Sequence, residues 1–181
     1  IIGPTGVGKT ETSRIISEVA GVPIAIVSAN QFSQVGYVGD STTDILKKLI
    51  VNANYDYKKA ERGIIYIDEI DKMTKDIKGD PASSLLEVLD PEQNNKFSDH
   101  YIEEEFDLSN VLFITTANDV SEIPIALKDR LEIIDINGYT ELEKIEIARK
   151  HLIPIICQKH GIKDIKISDE NIIDIIRNYT K

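Results

Sequence analysis

Gly3-Pro4-Thr5-Gly6-Val7-Gly8-Lys9-Thr10 decides the reading of this chain, because it fits G-x-x-x-x-G-K-[ST] between an apolar pair, Ile1-Ile2, and a helical pattern. Glycines let the backbone curl so that its N–H groups face an anion, and the start of the following helix adds positive potential. All eight residues are therefore expected to cradle the phosphates of ATP. Lys9 is expected to reach the β and γ phosphates, and Thr10 to offer its hydroxyl to Mg²⁺. The bland alternative, a glycine-rich turn before an ordinary helix, is weak because the full pattern arises by chance in under ~1% of chains of this length.

Outward from this loop, the spacing predicts a helix over Lys9 to Ala20 that buries Ile15, Ile16 and Val19 and ends at Gly21, before Pro23. Short β-branched runs follow at Ile24 to Val27, Ile64 to Ile67, Val111 to Thr115 and Ile133 to Ile136. Helical patterns lie between several of them, at Thr43 to Ala53 and Ala82 to Leu89. The alternation predicts an α/β domain with a mostly parallel sheet. After Gly138 the pattern turns helical. Thr140-Glu141-Leu142-Glu143 reads as a capping box, Ile145, Ala148 and Leu152 as one apolar face before Pro154, and Ser168 opens a last helix carrying Ile172, Ile173 and Ile176. The expected organisation is an α/β nucleotide-binding core over residues 1–138 and a small helical lid over 139–181. The abrupt start at Ile1 and the stop at Lys181 suggest that both ends are truncated.

Two further strands end in polar residues. Gly63-Ile64-Ile65-Tyr66-Ile67-Asp68-Glu69 brings two carboxylates to the end of a buried strand, where ligands of open α/β sheets bind. Asp68 is expected to hold Mg²⁺, mostly through water, and Glu69 to polarise the attacking water. Taken alone, a strand ending in Asp-Glu is more often a solvated turn. About sixty residues beyond a phosphate loop, the catalytic reading is favoured. Val111 to Ala117 runs into Asn118, which either orients the water or γ phosphate, or is a turn-forming Asn capping the next helix.

Composition bounds the rest. In 181 residues, 41% hydrophobic and 29% charged, there is room for one domain with a small appended subdomain. Acidic residues outnumber basic ones 31 to 21, a formal charge of −10, which argues against nucleic acid as the main partner. The sequence holds no membrane-spanning apolar run, and the expectation is a cytoplasmic protein. The single cysteine, Cys157, sits among isoleucines and is expected to be a buried thiol. His100, His151 and His160 lack metal-ligand spacing.

The order of these parts resembles AAA+ ATPases. Residues 1 to about 73 resemble the Clp-type unfoldases ClpX and HslU, through the phosphate loop, Val35-Gly36-Tyr37-Val38-Gly39, and Tyr55-Asp56-Tyr57-Lys58-Lys59-Ala60-Glu61-Arg62-Gly63 leading into Ile67-Asp68-Glu69-Ile70-Asp71-Lys72. From about Lys72 the chain is similar to Lon proteases, through Gly79 to Asn94, Phe97-Ser98-Asp99-His100-Tyr101, Asp129-Arg130-Leu131-Glu132 and Gly138-Tyr139-Thr140.

The resemblance implies an AAA+ P-loop core with a helical lid, acting in a homo-oligomeric ring, expected to be a hexamer, on unfolded or tagged protein substrates. Arg130 matches the arginine finger that reaches a neighbouring subunit's γ phosphate; read without the family, it is a surface ion pair with Asp129 or Glu132. Asn118 matches the residue called sensor 1. Tyr37, with Val38 beside it, matches the aromatic pore loop that grips a translocating chain. The Ser-Lys peptidase of Lon proteases has no counterpart here, so the peptidase is expected outside this chain. Three functions are compatible with these parts: an ATPase driving protein unfolding for a protease, an inactive or truncated nucleotide-binding module, and a nucleic-acid-remodelling motor, which the acidic balance disfavours.

Overall fold

The computed structural model describes residues 1–29, 42–73, 81–92, 94–99, 102–162 and 165–179. The candidate pore-loop residues Tyr37 and Val38 lie outside them. The chain divides into two compact units, Ile1–Ile136 and Asn137–Lys181.

The first unit is built on three parallel strands in the order β1 (Ile24–Ser28), β2 (Ile64–Asp68), β5 (Leu112–Thr115). Ile24 pairs with Ile64 and Ile64 with Leu112, so each run of branched residues lies level with its neighbour. Beyond β5, Ile2 forms bridges to Ala117 and to Asp135. The segment expected as a strand over Ile133 to Ile136 is thus held by two backbone bonds, Ile2 N–H to Ile134 C=O and Ile136 N–H to Ile2 C=O, without becoming a full strand. Around the sheet stand α1 (Lys9–Ala20), α2 (Thr42–Asn52), the short α3 (Tyr57–Ala60), α4 (Pro81–Leu89) and the short α5 (Ile125–Lys128). A two-stranded antiparallel ribbon, β3 (Phe97–Asp99) with β4 (Ile102–Phe106), was not anticipated from the sequence.

The strand period of two sorts the side chains. Ala25, Val27, Ile65 and Ile67 point into the main core with Leu46, Leu49, Leu85 and Leu127 from the helices and turns. Ile64, Tyr66 and Ile114 point the other way and form a second, smaller cluster.

On α1 the expected apolar face is corrected. Ile15, Ile16 and Val19 are exposed, Val19 at 84%, while Ser13 and Ser17 are the buried residues of the helix. Their hydroxyls are satisfied within the backbone, Ser13 donating to Lys9 C=O and Ser17 to Val22 C=O at 2.7 Å. Small residues four apart let the helix approach its neighbours closely, and their internal bonding removes the cost of burying a hydroxyl.

The second unit contains α6 (Glu141–Ile147), a π-helical turn (Ala148–Leu152), α7 (Ile153–His160) and α8 (Asp169–Tyr179). The capping box forms as read: Glu143 N–H donates to Thr140 Oγ1 at 3.3 Å, and Thr140 N–H to Glu143 Oε2 at 2.7 Å. These bonds hold the Glu143 carboxyl below its ordinary range. The π turn ends two residues before Pro154, whose missing N–H and bulky ring disturb the normal i to i−4 ladder. The extra residue rotates the register, so Leu152 is exposed rather than continuing the face of Ile145 and Ala148. Ile172 of α8 is buried, and Arg177 makes a two-pronged pair with Glu141 at 2.7 and 2.9 Å. Cys157 is half-buried rather than fully enclosed. Among the described residues no helix is long and apolar enough to cross a membrane.

Candidate functional site

The phosphate-loop sequence takes the shape its glycines require. Gly6 and Gly8 adopt φ of 87° and 86°, a region that side chains with a Cβ avoid. Gly3 serves a different need: a Cβ there would lie 2.3 Å from the Ile136 carbonyl oxygen, so this closeness of two backbones admits no side chain. Val7 is buried and anchors the loop.

At the mouth of the loop, Lys9 Nζ donates to Gly3 C=O at 2.5 Å, Pro4 C=O at 3.1 Å and Asn118 Oδ1 at 3.0 Å. Thr5 Oγ1 also approaches Asn118 Oδ1, at 3.5 Å. The Asn118 side chain is therefore turned toward the loop. The turn that follows is capped by Asp119, whose Oδ1 accepts from the Ser121 amide at 2.7 Å.

Strand β2 delivers the two carboxylates. Asp68 Oδ1 accepts from Thr116 Oγ1 at 2.5 Å and from the Tyr66 phenol at 3.2 Å. The same phenol lies 2.8 Å from Thr10 Oγ1. Burial pushes the Tyr66 phenol up from its ordinary range, with opposing help from its Thr10 and Thr116 hydrogen bonds, so it remains a neutral hydroxyl. Immediately after the strand, Glu69 adopts φ 59° and ψ 51°, a left-handed conformation that costs a non-glycine residue about 1–2 kcal/mol. Its amide donates to Thr116 Oγ1 at 3.2 Å and the next amide, of Ile70, to Thr116 C=O at 2.9 Å, and these bonds fix the bend. The Glu69 carboxylate is paired with Lys72 Nζ at 2.5 Å, and this bond holds the exposed Lys72 ammonium above its ordinary range.

Asp71 completes the frame. Its Oδ2 accepts from the Asn118 amide at 3.0 Å and the Asp119 amide at 3.2 Å, tying the turn after β2 to the loop after β5.

Thr5, Gly6, Gly8, Lys9, Thr10, Asp68, Glu69 and Asn118 thus line one cavity of about 350 Å³ together with Glu11, Thr116 and Ala117. That volume lies within the roughly 300–1,000 Å³ of small-molecule sites. Its chemistry is divided, with an ammonium and glycine-turned backbone on one wall and two carboxylates and a threonine hydroxyl on the other. This division fits a polyphosphate with a divalent cation. A larger open cavity of about 940 Å³ lies beside the edge strand β1, floored by Val22, Ile24 and Ile26, and has no such convergence.

Arg130 is not part of this cavity. Its guanidinium pairs with Asp90 at 3.1 Å, with neither of the two neighbours Asp129 and Glu132 expected for a surface pair. Tyr66, Thr116 and Asp71 are the site-building residues that the motif reading passed over. The signal for Tyr66 was present: two residues before Asp68, it must share Asp68's face of the strand.

Comparison with known proteins agrees with the architecture. The ATPase family associated with various cellular activities (AAA) matches residues 1–139. Lon protease 1 of Bacillus subtilis (strain 168) is 46% identical over all of this chain and 24% of its own length. The Lon proteases of Rickettsia bellii (strain RML369-C) and Azorhizobium caulinodans are 47% and 44% identical, again over all of this chain and over 24% and 22% of their own lengths. The Lon likeness therefore extends through residues 1–72 as well as beyond them, and the chain spans about a quarter of the length of these relatives. A parallel sheet, a glycine-turned loop leading into α1, and a family match over residues 1–139 lead to one conclusion: this chain belongs to the AAA family of ATPases.

Proposed function

We propose that this chain is the ATP-hydrolysing module of a Lon-type, ATP-dependent protease, in which hydrolysis drives unfolding and translocation of protein substrates. The observation that carries the reading is the convergence of Lys9, Thr10, Asp68, Glu69 and Asn118 on one cavity at the carboxyl ends of β2 and β5.

Lys9 exchanges its bonds to the loop carbonyls for the β and γ phosphates of ATP, and the amides of Thr5 to Thr10 neutralise the remaining charge. Thr10 and Asp68 would hold Mg²⁺, which would supply positive charge to offset the negative charge that builds on the transferred phosphoryl group. Glu69 leaves its pair with Lys72 to polarise the attacking water, accepting a hydrogen bond from it at the carboxylate. Asn118, held by Asp71 through its own amide, keeps its side-chain oxygen beside Lys9 and so senses the γ-phosphate position.

The remaining parts of the proposal lie outside this cavity. Arg130 exchanges Asp90 for the γ phosphate of a neighbouring subunit, which requires a ring, proposed as a hexamer. Tyr37 and Val38 grip the substrate polypeptide in the pore, and the Clp-like character of the first half reflects that loop and the phosphate site. Asn137–Lys181 is the small helical subdomain of the module. A peptidase domain or subunit outside residues 1–181 completes the protease, and the proposed location is the cytoplasm.

The test is Mg²⁺-dependent ATP hydrolysis measured against protein concentration for the wild type, Glu69→Gln and Arg130→Ala. Turnover rising with concentration is expected, with a loss of about 10²–10⁴-fold in Glu69→Gln and a comparable loss in Arg130→Ala. Turnover that is independent of concentration and indifferent to Arg130→Ala would remove the shared site. A second reading, binding without turnover, is favoured by the Glu69–Lys72 and Arg130–Asp90 pairs, which occupy both groups. It predicts nucleotide affinity with no hydrolysis at any concentration.

A further inference from the structure

Resting on the reading of the cavity as a magnesium–nucleotide site, we propose that Tyr66 is a positioning residue for the cation. Its phenol accepts a hydrogen bond from the Thr10 hydroxyl and donates one to the Asp68 carboxylate, so that both flanking oxygens meet the cavity as acceptors.

The proton order follows from the partners. Three oxygens surround the phenol: Thr10 Oγ1 at 2.8 Å, Asp68 Oδ1 at 3.2 Å and Thr116 Oγ1 at 3.5 Å. A carboxylate only accepts, and a phenol has one proton. The Tyr66 proton therefore goes to Asp68, and the contact with Thr10, in which either oxygen could donate, is settled with Thr10 as donor. On the other side, Thr116 donates to Asp68 Oδ1 at 2.5 Å and accepts from the Glu69 amide at 3.2 Å. The chain of donors thus runs from Thr10 through Tyr66 to Asp68, where it meets a second chain running from the Glu69 amide through Thr116.

A hydroxyl that is to bind a hard cation must send its own proton elsewhere and present oxygen lone pairs. Tyr66 is the receiver of that proton. By occupying Asp68 Oδ1 jointly with Thr116, it also leaves Oδ2 as the carboxylate oxygen available to a cation or its water.

Packing does not account for the hydroxyl. Tyr66 is fully buried on a sheet face shared with Ile64 and Ile114, where a phenylalanine would contribute the same ring. A buried hydroxyl is costly unless bonded, and every bond this one makes is to the site.

The test is the affinity of the chain for a fluorescent ADP analogue, titrated at a series of Mg²⁺ concentrations and at none. Tyr66→Phe is expected to raise the Mg²⁺ needed for half-maximal tightening by about tenfold, the size of one hydrogen bond to a charged group, with the Mg²⁺-free affinity unchanged. Thr10→Ala should raise it at least as far, and the double variant by less than the product of the two single effects, because the residues act through one chain. Wild-type Mg²⁺ dependence in a folded Tyr66→Phe, or independent effects in the double variant, overturns the proposal and leaves the nucleotide site standing. Mg²⁺ dependence untouched by Thr10→Ala overturns both. Should Tyr66→Phe not fold, ζ-¹³C-labelled tyrosine in the unaltered chain reads the same contact. One of its 7 tyrosine signals should shift when Mg²⁺ is added to the nucleotide complex, and no shift overturns the proposal.

Discussion

The two faces of the β1–β2–β5 sheet are made from the same strands and do different jobs. On one face Ala25, Val27, Ile65 and Ile67 meet Leu46, Leu49 and Leu85 in a core whose members are almost fully enclosed. On the other, Ile64, Tyr66 and Ile114 form a small cluster, and the buried residues of α1 are serines. One residue of register separates the two, since the alternation of β2 sends Ile65 and Ile67 one way and Ile64, Tyr66 and Asp68 the other. The difference teaches that stability is concentrated on the first face. The second is freed to carry hydroxyls and carboxylates down the strand into the cavity.

The largest effect that could break this comparison is on the apolar face. Ile67, 1% exposed, is packed from all sides, and Ile67→Ala should cost about 2–5 kcal/mol through lost burial and the cavity left behind. Urea unfolding measures it. If the loss were under about 1 kcal/mol, the main core would not be the source of stability that its enclosure implies.

A smaller effect is expected where the faces meet the site. Asp71→Ala removes the acceptor shared by the amides of Asn118 and Asp119, and should cost about 1–3 kcal/mol. It should also weaken nucleotide affinity, because the Asn118 loop loses its tie to the turn after β2. Denaturant melts and nucleotide titration separate the two consequences. A stability loss with unaltered affinity would make Asp71 a part of the scaffold only.

How much of this was legible follows the same division. The loop Gly3 to Thr10 and the strand Ile64 to Asp68 were readable because their chemistry is local: each motif dictates its own backbone shape. Asn118 was a candidate from its place at a strand end, and the family likeness favoured its role at the phosphates and added Arg130, while Tyr37 and Val38 lie outside the described residues. What escaped was decided by tertiary contact. Apolar spacing suggested that Ile15, Ile16 and Val19 are buried, yet Ser13 and Ser17 are, because close approach and internal hydrogen bonding override hydrophobicity there. Arg130 finds Asp90, forty residues away, and no reading of neighbours along the chain could have named that partner. The β3–β4 ribbon escaped because Glu103-Glu104-Glu105 breaks the apolar alternation that marks a strand. Leu152 was misplaced because a single π turn shifts every later residue around the helix axis.

The smallest expected effect sharpens the comparison from the α1 side. Ser17 is 6% exposed and donates to Val22 C=O at 2.7 Å, so Ser17→Ala loses one internal hydrogen bond worth about 0.5–1.5 kcal/mol. Alanine returns roughly half a kcal/mol in helix propensity, since it is the best helix former and leaves no hydroxyl to satisfy. The net change should stay within about 1 kcal/mol, well below that of Ile67→Ala. Thermal melts and nucleotide titration on both variants decide it. If Ser17→Ala matched the cost of Ile67→Ala, the serine face would be a second structural core. If it left stability untouched but altered nucleotide affinity, α1 would be positioning the phosphate loop through its serines, and the division of labour between the faces would be sharper than burial alone implies.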